Sequence, residues 1–290
     1  ELKQLIINDY KTTSTLGYNN ARDVMYSEID IKPGSQLTGV YSGYTITLDL
    51  SQDPSTNAYD QGINCEHTWP QSLGSGSEPM KSDMHHLFPT KSNVNSSRGN
   101  DPFAEISDNL TDKWYRDDYY IESIPLDFID EYAEKYNPPN QNDERFEPRE
   151  EQKGNTARAM AYFYTMYSDV ADNNFWELQK ETLFNWHLGD YPDTDEINRT
   201  WDIASYQQNK PNPFVIDNSL IERIYFWEDI LNGDINVDHS LDVLDLVQMI
   251  NIIINQTIYS NWELTILDSN SDNSFNVLDI VIFVNNIIGE

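Results

Sequence analysis

The stretch from Asn64 to Asn100 constrains this chain more than any other, because it concentrates groups that can do chemistry. It holds three of the five histidines of the chain, a glutamate directly before the first of them, and several asparagines. Imidazole is near neutral at working pH and is the usual general base, whereas carboxylate and amide oxygens are the ligands that hard divalent cations prefer. The stretch therefore predicts a site that combines a base with a metal ion.

The local pattern predicts strand, loop, strand and helix across this stretch. A short apolar run ends at Pro89, as at the end of a strand, and the polar residues 90–93 offer an N-cap for a short helix that carries Asn95. Neighbouring side chains of a strand point to opposite faces, so Glu66 and His67 can serve one site only at a strand end or a bulge.

Several separated blocks follow one another in order along the chain. They are Glu-His-Thr-Trp-Pro-Gln-Ser at 66–72, Ser-Asp-Met-His-His-Leu-Phe-Pro at 82–89, Val-Asn-Ser-Ser-Arg-Gly-Asn at 94–100, Phe-Glu-Pro-Arg at 146–149, Asn-Trp-His at 185–187 and Asn-Lys-Pro-Asn-Pro-Phe-Val at 209–215. Together they resemble the bacterial extracellular and periplasmic endonuclease I family, nucleases that are non-specific toward sequence and use a ββα-metal (His-Me finger) site. The resemblance covers residues 1–231.

The resemblance implies a role for each polar group of the site. His67 would be the general base that takes a proton from the attacking water, and Glu66 and Asn95 would bind one divalent ion, leaving a 5′-phosphate on the product. A hard ion such as Mg²⁺, or Mn²⁺ or Ca²⁺ in its place, suits these ligands better than zinc. Arg98 can either hold phosphate or form a salt bridge, and Lys81 is the only cation of the preceding loop. The cation that polarises the phosphate stays open between them.

The remaining reactive side chains of the stretch favour structural roles. In an alternating strand only one of His85 and His86 can face the site, and we expect hydrogen bonds that brace the finger, with Asp83 as a supporting partner. Cys65 has no dedicated base, which favours a buried strand thiol over a nucleophile.

The charge balance is unusual for a protein that must approach a polyphosphate. The net charge is −31, and because nine of the 49 acidic residues lie beyond residue 232, the part before it carries 40 acidic against all 18 basic residues, a net of −22. We expect activity at high salt, a marine or salt-adapted bacterial source, and a short basic cleft in an acidic surface. The residues expected in that cleft are Lys81, Lys91, Arg98, Arg149, Lys153 and Arg158. For the last three the alternative is pairing with local carboxylates.

Periodicity outside this stretch predicts a mixed α+β fold. Helices are expected at the start of the chain and over 20–28, 150–167, 173–190 and 195–208, with β structure at 36–48 and short strands within 104–145. Together with the resemblance to the endonuclease I family, this pattern implies a mainly helical nuclease domain at 1–231 with an embedded ββα-metal finger.

The composition changes near residue 232. No lysine or arginine follows Leu231, and a repeat appears with an offset of 34 residues. Its oxygen-bearing side chains occupy positions 1, 3, 5, 7, 9 and 12 of an EF-hand-like calcium loop, each followed by an apolar helix. They are Asp234, Asn236, Asp238, Ser240, Asp242 and Asp245 in the first unit and Asp268, Asn270, Asp272, Ser274, Asn276 and Asp279 in the second.

This tandem resembles a type I dockerin-like module, which would form a small all-α domain at 232–290. The resemblance implies one Ca²⁺ in each loop and a cohesin-like or cell-surface partner. The loop glycine expected at position 6 is His239 in the first unit and Asn273 in the second. Asparagine tolerates the left-handed conformation better than histidine does, so the first loop is the weaker calcium site.

The resemblance to an extracellular and periplasmic family implies a secreted protein, which we expect to be a monomer. One cysteine excludes an intramolecular disulfide framework, and no apolar run is long enough to span a membrane. The start at Glu1 lacks the features of a signal peptide, so we expect any such peptide to have been removed.

Two functions from different classes follow. The first is a sequence-non-specific endonuclease that hydrolyses DNA, and RNA as a further substrate, by a one-metal mechanism. The alternative is a catalytically weak nuclease-fold protein that acts mainly as a calcium-dependent binding or scaffolding module. The intact Glu66, His67 and Asn95 favour the first.

Overall fold

The computed structural model describes residues 2–226, 231–236, 240–256, 259 and 261–288. The chain divides into two compact units, Glu1–Asn218 and Ser219–Glu290. The predicted domain boundary at 231 stays a prediction.

Helices account for most of the regular structure described in the first unit. They are α1 (Leu2–Tyr10), α2 (Tyr18–Val24), α3 (Pro54–Asp60), α4 (Ser92–Arg98), α5 (Lys153–Met166), α6 (Asn173–Glu177), α7 (Lys180–Gly189), α8 (Thr194–Tyr206) and α9 (Pro213–Ile216). A π-helix at Met25–Ile29 continues α2, so the helix predicted over 20–28 is present.

The strands form three small antiparallel sheets. They are β1 (Gln36–Thr38) with β2 (Thr45–Thr47), β3 (Ile63–His67) with β4 (Leu87–Lys91), and a four-stranded sheet of β5 (Lys113–Arg116), β6 (Tyr119–Ile121), β7 (Ala133–Tyr136) and β8 (Arg145–Glu147) in the order β6-β5-β7-β8. The mixture of helix and sheet agrees with the predicted α+β class.

The hairpin β3–β4 and the helix α4 form a ββα finger. Its register runs from Ile63 opposite Lys91 to His67 opposite Leu87, and α4 begins directly after β4. The predicted strand end at Pro89 is wrong, because β4 belongs to a two-stranded sheet, where a proline is tolerated on an edge strand. The N-cap predicted within 90–93 is Lys91, although its side chain makes no capping hydrogen bond.

A buried helix supports the finger from one side. Twelve of the residues of α5 are buried, and Trp69 of the finger stacks on Phe163 with ring centroids 4.9 Å apart. The helix begins at Lys153 and not at the predicted residue 150, because residues Glu150–Gln152 form a 3₁₀ turn. Burial of these large aromatic rings fixes where the end of β3 lies.

The second unit contains four helices among its described residues. They are α10 (Leu220–Tyr225), α11 (Val243–Asn255), α12 (Asn261–Leu267) and α13 (Val277–Ile288). Ile235, Met249, Leu267, Phe275 and Phe283 form an apolar core there. Across the described residues of the whole chain, every helix is too short or too polar to cross a membrane.

Candidate active site

Glu66 and His67 lie at the C-terminal end of β3, and His67 is the last residue of that strand. The pair therefore lies at a strand end, which is one of the two places where adjacent strand residues can serve one site. Both side chains are buried, at 2% and 6% exposure. Their contacts differ, because Glu66 meets Tyr41 whereas the His67 ring meets Tyr18.

His67 is held in one tautomer by the backbone. Its Nε2 lies 3.0 Å from the carbonyl oxygen of Lys81, and because a carbonyl only accepts hydrogen bonds, Nε2 carries the proton. Nδ1 therefore presents a lone pair, which the amide of Gln71 approaches to 3.4 Å. Burial, with a smaller contribution from His86, lowers the pKa of His67 to about 3. The ring is thus a neutral, oriented base.

Glu66 has one engaged and one available carboxylate oxygen. The hydroxyl of Tyr41 donates to Oε1 at 2.9 Å, and Arg98 Nη1 lies 3.4 Å from the same atom. Oε2 accepts no hydrogen bond from the described residues. Burial raises the pKa of Glu66, and the nearby Arg98 guanidinium opposes that rise. A buried carboxylate of this kind gains from a bound cation.

Asn95 also keeps an oxygen available. Its Nδ2 donates to the side-chain oxygen of Asn64 at 2.9 Å and to the carbonyl of Cys65 at 3.1 Å. These bonds turn the amide so that Oδ1 has no partner among the described residues, and neither this oxygen nor Glu66 Oε2 is sealed from solvent. Asn95 is therefore anchored to the backbone beside Glu66. A carboxylate oxygen and an amide oxygen fit a hard divalent ion, and Glu66 and Asn95 are the residues that would hold it.

Arg98 is a buried structural cation. Its side chain is 1% exposed, and its Nη2 donates to the carbonyl of Thr68 at 2.7 Å. Its Nη1 donates to the carbonyl of His67 at 3.3 Å and also faces Glu66. The salt-bridge alternative therefore describes Arg98 in this structure, because a guanidinium enclosed in this way presents no face to a phosphate.

The predicted basic cleft is wrong for three of its six residues. Arg98, Lys153 and Arg158 are all buried at 4% exposure or less. Arg158 Nη2 lies 2.5 Å from Glu196, and Lys153 pairs with several glutamates. The alternative of pairing with local carboxylates is confirmed for all three of its residues, because Arg149 Nε also lies 3.3 Å from Glu151. Lys153 and Arg158 are buried, and a buried cation must be neutralised. Lys81, Lys91 and Arg149 stay half-buried and lie nearer the surface.

Glu105, Glu147 and Glu150 form a cluster with metal-ligand spacing. Among the described residues, this is the only group of three acidic, histidine or cysteine side chains whose ligand atoms all lie within 4.8 Å of one another. The ammonium of Lys153 lies among them, 2.7 Å from Glu147 and 2.6 Å from Glu150. A side chain of the protein itself therefore occupies the centre of the cluster and neutralises part of its charge.

His85 and His86 brace the finger, but they do so from a 3₁₀ turn at Met84–His86 and not from the expected strand. Their Nε2 atoms lie 2.8 Å and 2.7 Å from the carbonyls of Lys210 and Met80. Asp83 accepts hydrogen bonds from Tyr162 and Tyr167 at 2.8 and 2.6 Å. All of these groups are buried, as is Cys65, where burial raises the pKa of the thiol to about 12.

Four residues of the site escaped sequence reasoning. Tyr18, Arg22, Tyr41 and Gln71 contact Glu66, His67 or one another. Tyr18 begins α2, far upstream of the finger, and a single tyrosine in an amphipathic helix carries no signal of its own. Only the folded chain brings these residues to the end of β3.

The calcium loops are described in part. Asp238 and His239 lie outside the described residues. In the second loop, Asp268 accepts hydrogen bonds from the backbone of Asp272 and Asn273 at 3.0 and 2.7 Å, and Asn273 has φ +65°. That left-handed conformation is the one an EF-hand-like loop needs at position 6.

The position 12 carboxylates close both loops from within. Asp279 accepts from the backbone of Asn276 at 2.8 Å. In the first calcium loop, the two oxygens of Asp245 accept hydrogen bonds from the backbone N–H groups of Ile235 and Asp242, each at 3.0 Å. Both aspartates are fully buried.

The hairpin β3–β4, the helix α4 that follows it and the oriented His67 place this chain in the class of ββα-finger proteins. Within that class the chain belongs to the Endonuclease I family, whose family model matches residues 1–219. The match ends one residue after the first compact unit, which ends at Asn218.

A curated relative is the extracellular ribonuclease of Bacillus subtilis (strain 168). The two are 29% identical over an alignment of 170 residues, and the match covers 52% of this chain and 50% of the relative. The chain thus spans half the length of the curated relative that it matches. The comparisons lend no support to the scaffolding alternative.

Proposed function

We propose that this protein is a secreted endonuclease that hydrolyses phosphodiester bonds of DNA and RNA without sequence specificity. The observation that carries the proposal is the neutral His67, whose Nε2 lies 3.0 Å from the Lys81 carbonyl and whose Nδ1 is left to act as a base. Membership of the Endonuclease I family supports the reaction class. The name of the Bacillus relative supports secretion, while the marine or salt-adapted source stays a prediction.

In the proposed reaction His67 Nδ1 takes a proton from the water that attacks phosphorus. The Lys81 carbonyl stabilises the resulting imidazolium, because it already accepts from the Nε2–H on the far side of the ring. Gln71, which is exposed and lies 3.4 Å from Nδ1, marks the side from which water approaches. Cleavage of the bond between phosphorus and the 3′ oxygen leaves a 5′-phosphate, and the departing 3′ oxygen takes up a proton from solvent to become a hydroxyl.

Glu66 and Asn95 would hold a divalent ion, for which Mg²⁺ is the first choice and Mn²⁺ or Ca²⁺ the substitutes. When bound, that ion would supply charge stabilisation to the scissile phosphate and to the leaving oxygen. Arg98 favours the ionised form of Glu66 and orients its side chain through the contact at 3.4 Å. Tyr41 fixes the other side of the same carboxylate oxygen through its hydroxyl, so the Glu66 side chain is held before any ion binds.

Attack by water does not require a ribose 2′-hydroxyl, so the same residues can act on both nucleic acids. Because the relative is named a ribonuclease, RNA should be tested as a substrate as well as DNA. The two chemistries are distinguishable by their products. Hydrolysis by water gives 5′-phosphate and 3′-hydroxyl ends, whereas attack by a 2′-hydroxyl gives a 2′,3′-cyclic phosphate and leaves DNA intact.

We further propose that residues 232–290 form a dockerin-like module that binds Ca²⁺ and engages a cohesin-like or cell-surface partner. Support comes from the second loop, where Asn273 has φ +65° and Asp268 binds the backbone of Asn273 at 2.7 Å. The ligands proposed for this ion are the six oxygen-bearing residues 268, 270, 272, 274, 276 and 279, with 234, 236, 238, 240, 242 and 245 for the first ion.

The proposed activity is tested with supercoiled plasmid DNA and with a long single-stranded RNA, each incubated with Mg²⁺ and with a chelator. We expect cleavage of both that the chelator abolishes and that His67→Ala lacks. The ends of the products are then identified by ligation, which requires a 5′-phosphate and a 3′-hydroxyl. Absence of cleavage of either polymer by the wild-type protein at every metal and salt condition would favour the scaffolding alternative.

A further inference from the structure

Tyr18 places an aromatic ring against the general base. Its ring centroid lies 5.3 Å from that of His67, and the two planes are tilted by 35°. Tyr18 is half-buried, so part of the residue faces solvent beside the end of β3. A group that contacts the Tyr18 ring therefore lies close to His67, the residue proposed to act as the general base.

Two cations sit over this ring. The guanidinium carbon of Arg22, one helical turn after Tyr18 in α2, lies 4.6 Å from the ring centroid. The ammonium of Lys81 lies 5.2 Å from the same centroid, and the carbonyl of the same lysine accepts from His67. Contact with the face of a tyrosine orients a cation without neutralising it.

Neither cation has a carboxylate partner within 4.0 Å among the described residues. Arg22 Nη2 donates to the neutral side chain of Asn19 at 2.8 Å, and its Nη1 makes no hydrogen bond to a described residue. This is notable in a chain with 49 acidic and 18 basic residues, in which the buried Lys153 and Arg158 are both paired with glutamates. Two unpaired charges beside the base attract an anion.

The substrate supplies such an anion, since each nucleotide carries a phosphate. An arginine binds phosphate oxygens through two parallel N–H groups, and a lysine binds them as a point charge. We propose that Arg22 and Lys81, held on the ring of Tyr18, bind the backbone phosphates of the nucleic acid beside His67. This inference rests on the proposed nuclease function. It assigns the phosphate-binding charge to the helix α2 and to the loop before β4, and not to Arg98.

The test measures the salt dependence of binding. Labelled duplex DNA and single-stranded RNA are titrated with protein at fixed Mg²⁺ and several KCl concentrations, in a His67→Ala background that keeps the substrate intact. The variants are Arg22→Gln and Lys81→Gln, with Lys32→Gln as the matched control, because Lys32 is exposed and also lacks a carboxylate within 4.0 Å among the described residues. Each loses one positive charge and gains an amide.

We expect each of the two variants to reduce the slope of log Kd against log salt by about 0.7 for single strands and about 0.9 for duplex DNA. This corresponds to a Kd about fivefold higher at 0.15 M salt. The difference from the parent protein is the informative quantity, because repulsion by the acidic surface acts on both. Lys32→Gln should leave the slope unchanged.

Equal slopes for Arg22→Gln, Lys81→Gln and Lys32→Gln would overturn the inference while leaving the nuclease proposal intact. Failure of the wild-type protein to cleave any nucleic acid would instead overturn the proposed function. Tyr18 is a positioning residue in this scheme, so Tyr18→Phe should keep the slope and Tyr18→Leu should reduce it. Equal thermal unfolding of each variant and its parent protein excludes misfolding as the cause of a changed slope. Arg22→Lys, which keeps the charge, should keep most of the slope.

Discussion

Arg98 Nη1 lies 3.4 Å from Oε1 of Glu66, and the two side chains are 1% and 2% exposed. The pair connects the helix of the finger to its first strand at the residue that is proposed to hold a metal ion. A buried charge without its partner is costly, so each member requires the other. The pair therefore links the stability of the finger to the ionised state of Glu66.

Removal of Arg98 should destabilise the protein strongly. We expect Arg98→Gln to lower the free energy of unfolding by about 3–5 kcal/mol, because it leaves the Glu66 carboxylate buried and unpaired. The same change in a Glu66→Gln background should cost clearly less. Urea unfolding of the four proteins gives the coupling, and Arg149→Gln is the control at a less buried arginine. A coupling near zero would show that the pair does not stabilise the finger.

The base and the metal ligands should separate in mutagenesis. His67→Ala is expected to lower the rate of hydrolysis by a factor of about 10² to 10⁴ with metal binding kept. Glu66→Ala and Asn95→Ala should lose both hydrolysis and metal binding, because they remove Glu66 Oε2 and Asn95 Oδ1, the oxygens proposed to bind the ion. Initial rates on supercoiled DNA, with Mn²⁺ binding measured by calorimetry, are the readout. Near wild-type rates for His67→Ala would mean that another group is the base.

His187 should make the protein sensitive to acid. It is fully buried, and burial lowers its pKa to about 4 from an ordinary value near 6.5. Between these two values the unfolded chain binds the proton and the folded protein does not, so stability falls as the pH is lowered from about 6.5 to about 4, by at most about 1.4 kcal/mol per pH unit. In His187→Gln the free energy of unfolding, measured by urea at several pH values, should depend less steeply on pH. An identical dependence in both proteins would contradict the assignment.

Calcium should stabilise the C-terminal unit. The carboxylates of the second loop, among them Asp268 and Asp272, lie close together in a module whose sequence after residue 231 has no lysine or arginine. Bound Ca²⁺ would relieve their repulsion, so a chelator should lower the melting temperature of this unit alone. Asp268→Ala should remove most of the effect, with Asn261→Ala, outside the loop, as the control. Equal melting curves with and without chelator would remove the calcium proposal.

The net charge of −22 up to residue 231 should shift the activity optimum toward high salt. Screening weakens the repulsion between this surface and DNA, since the Debye length falls from about 10 Å at 0.1 M to about 3 Å at 1 M. The burial of Lys153 and Arg158 leaves fewer surface cations to oppose that repulsion than the sequence predicted. The measurement is initial rate against NaCl at fixed Mg²⁺. A rate that only falls as salt is added would show that surface charge does not limit association.

The sequence by itself determined the finger and its chemical groups. The order of Glu66, His67 and Asn95 around a short apolar run predicted strand, strand and helix, and the structure has β3, β4 and α4 there. Several helices of the first unit were also predicted, because hydrophobic periodicity and caps such as Asp193 of α8 act locally. Signals of this kind depend on residues close together in the chain. The single helix expected over 173–190 is instead the two helices α6 and α7, and α3 and α9 were not predicted.

Tertiary structure decided which charges are available to a substrate. Arg98, Lys153 and Arg158 look like surface cations in the sequence, and only packing encloses them with partners such as Glu196, which is distant in the chain. The same holds for Tyr18, whose ring contacts His67, and for Arg22, whose guanidinium lies over the ring of Tyr18. Burial and neutralisation depend on the whole set of neighbours in space, and a one-dimensional pattern contains no record of those neighbours.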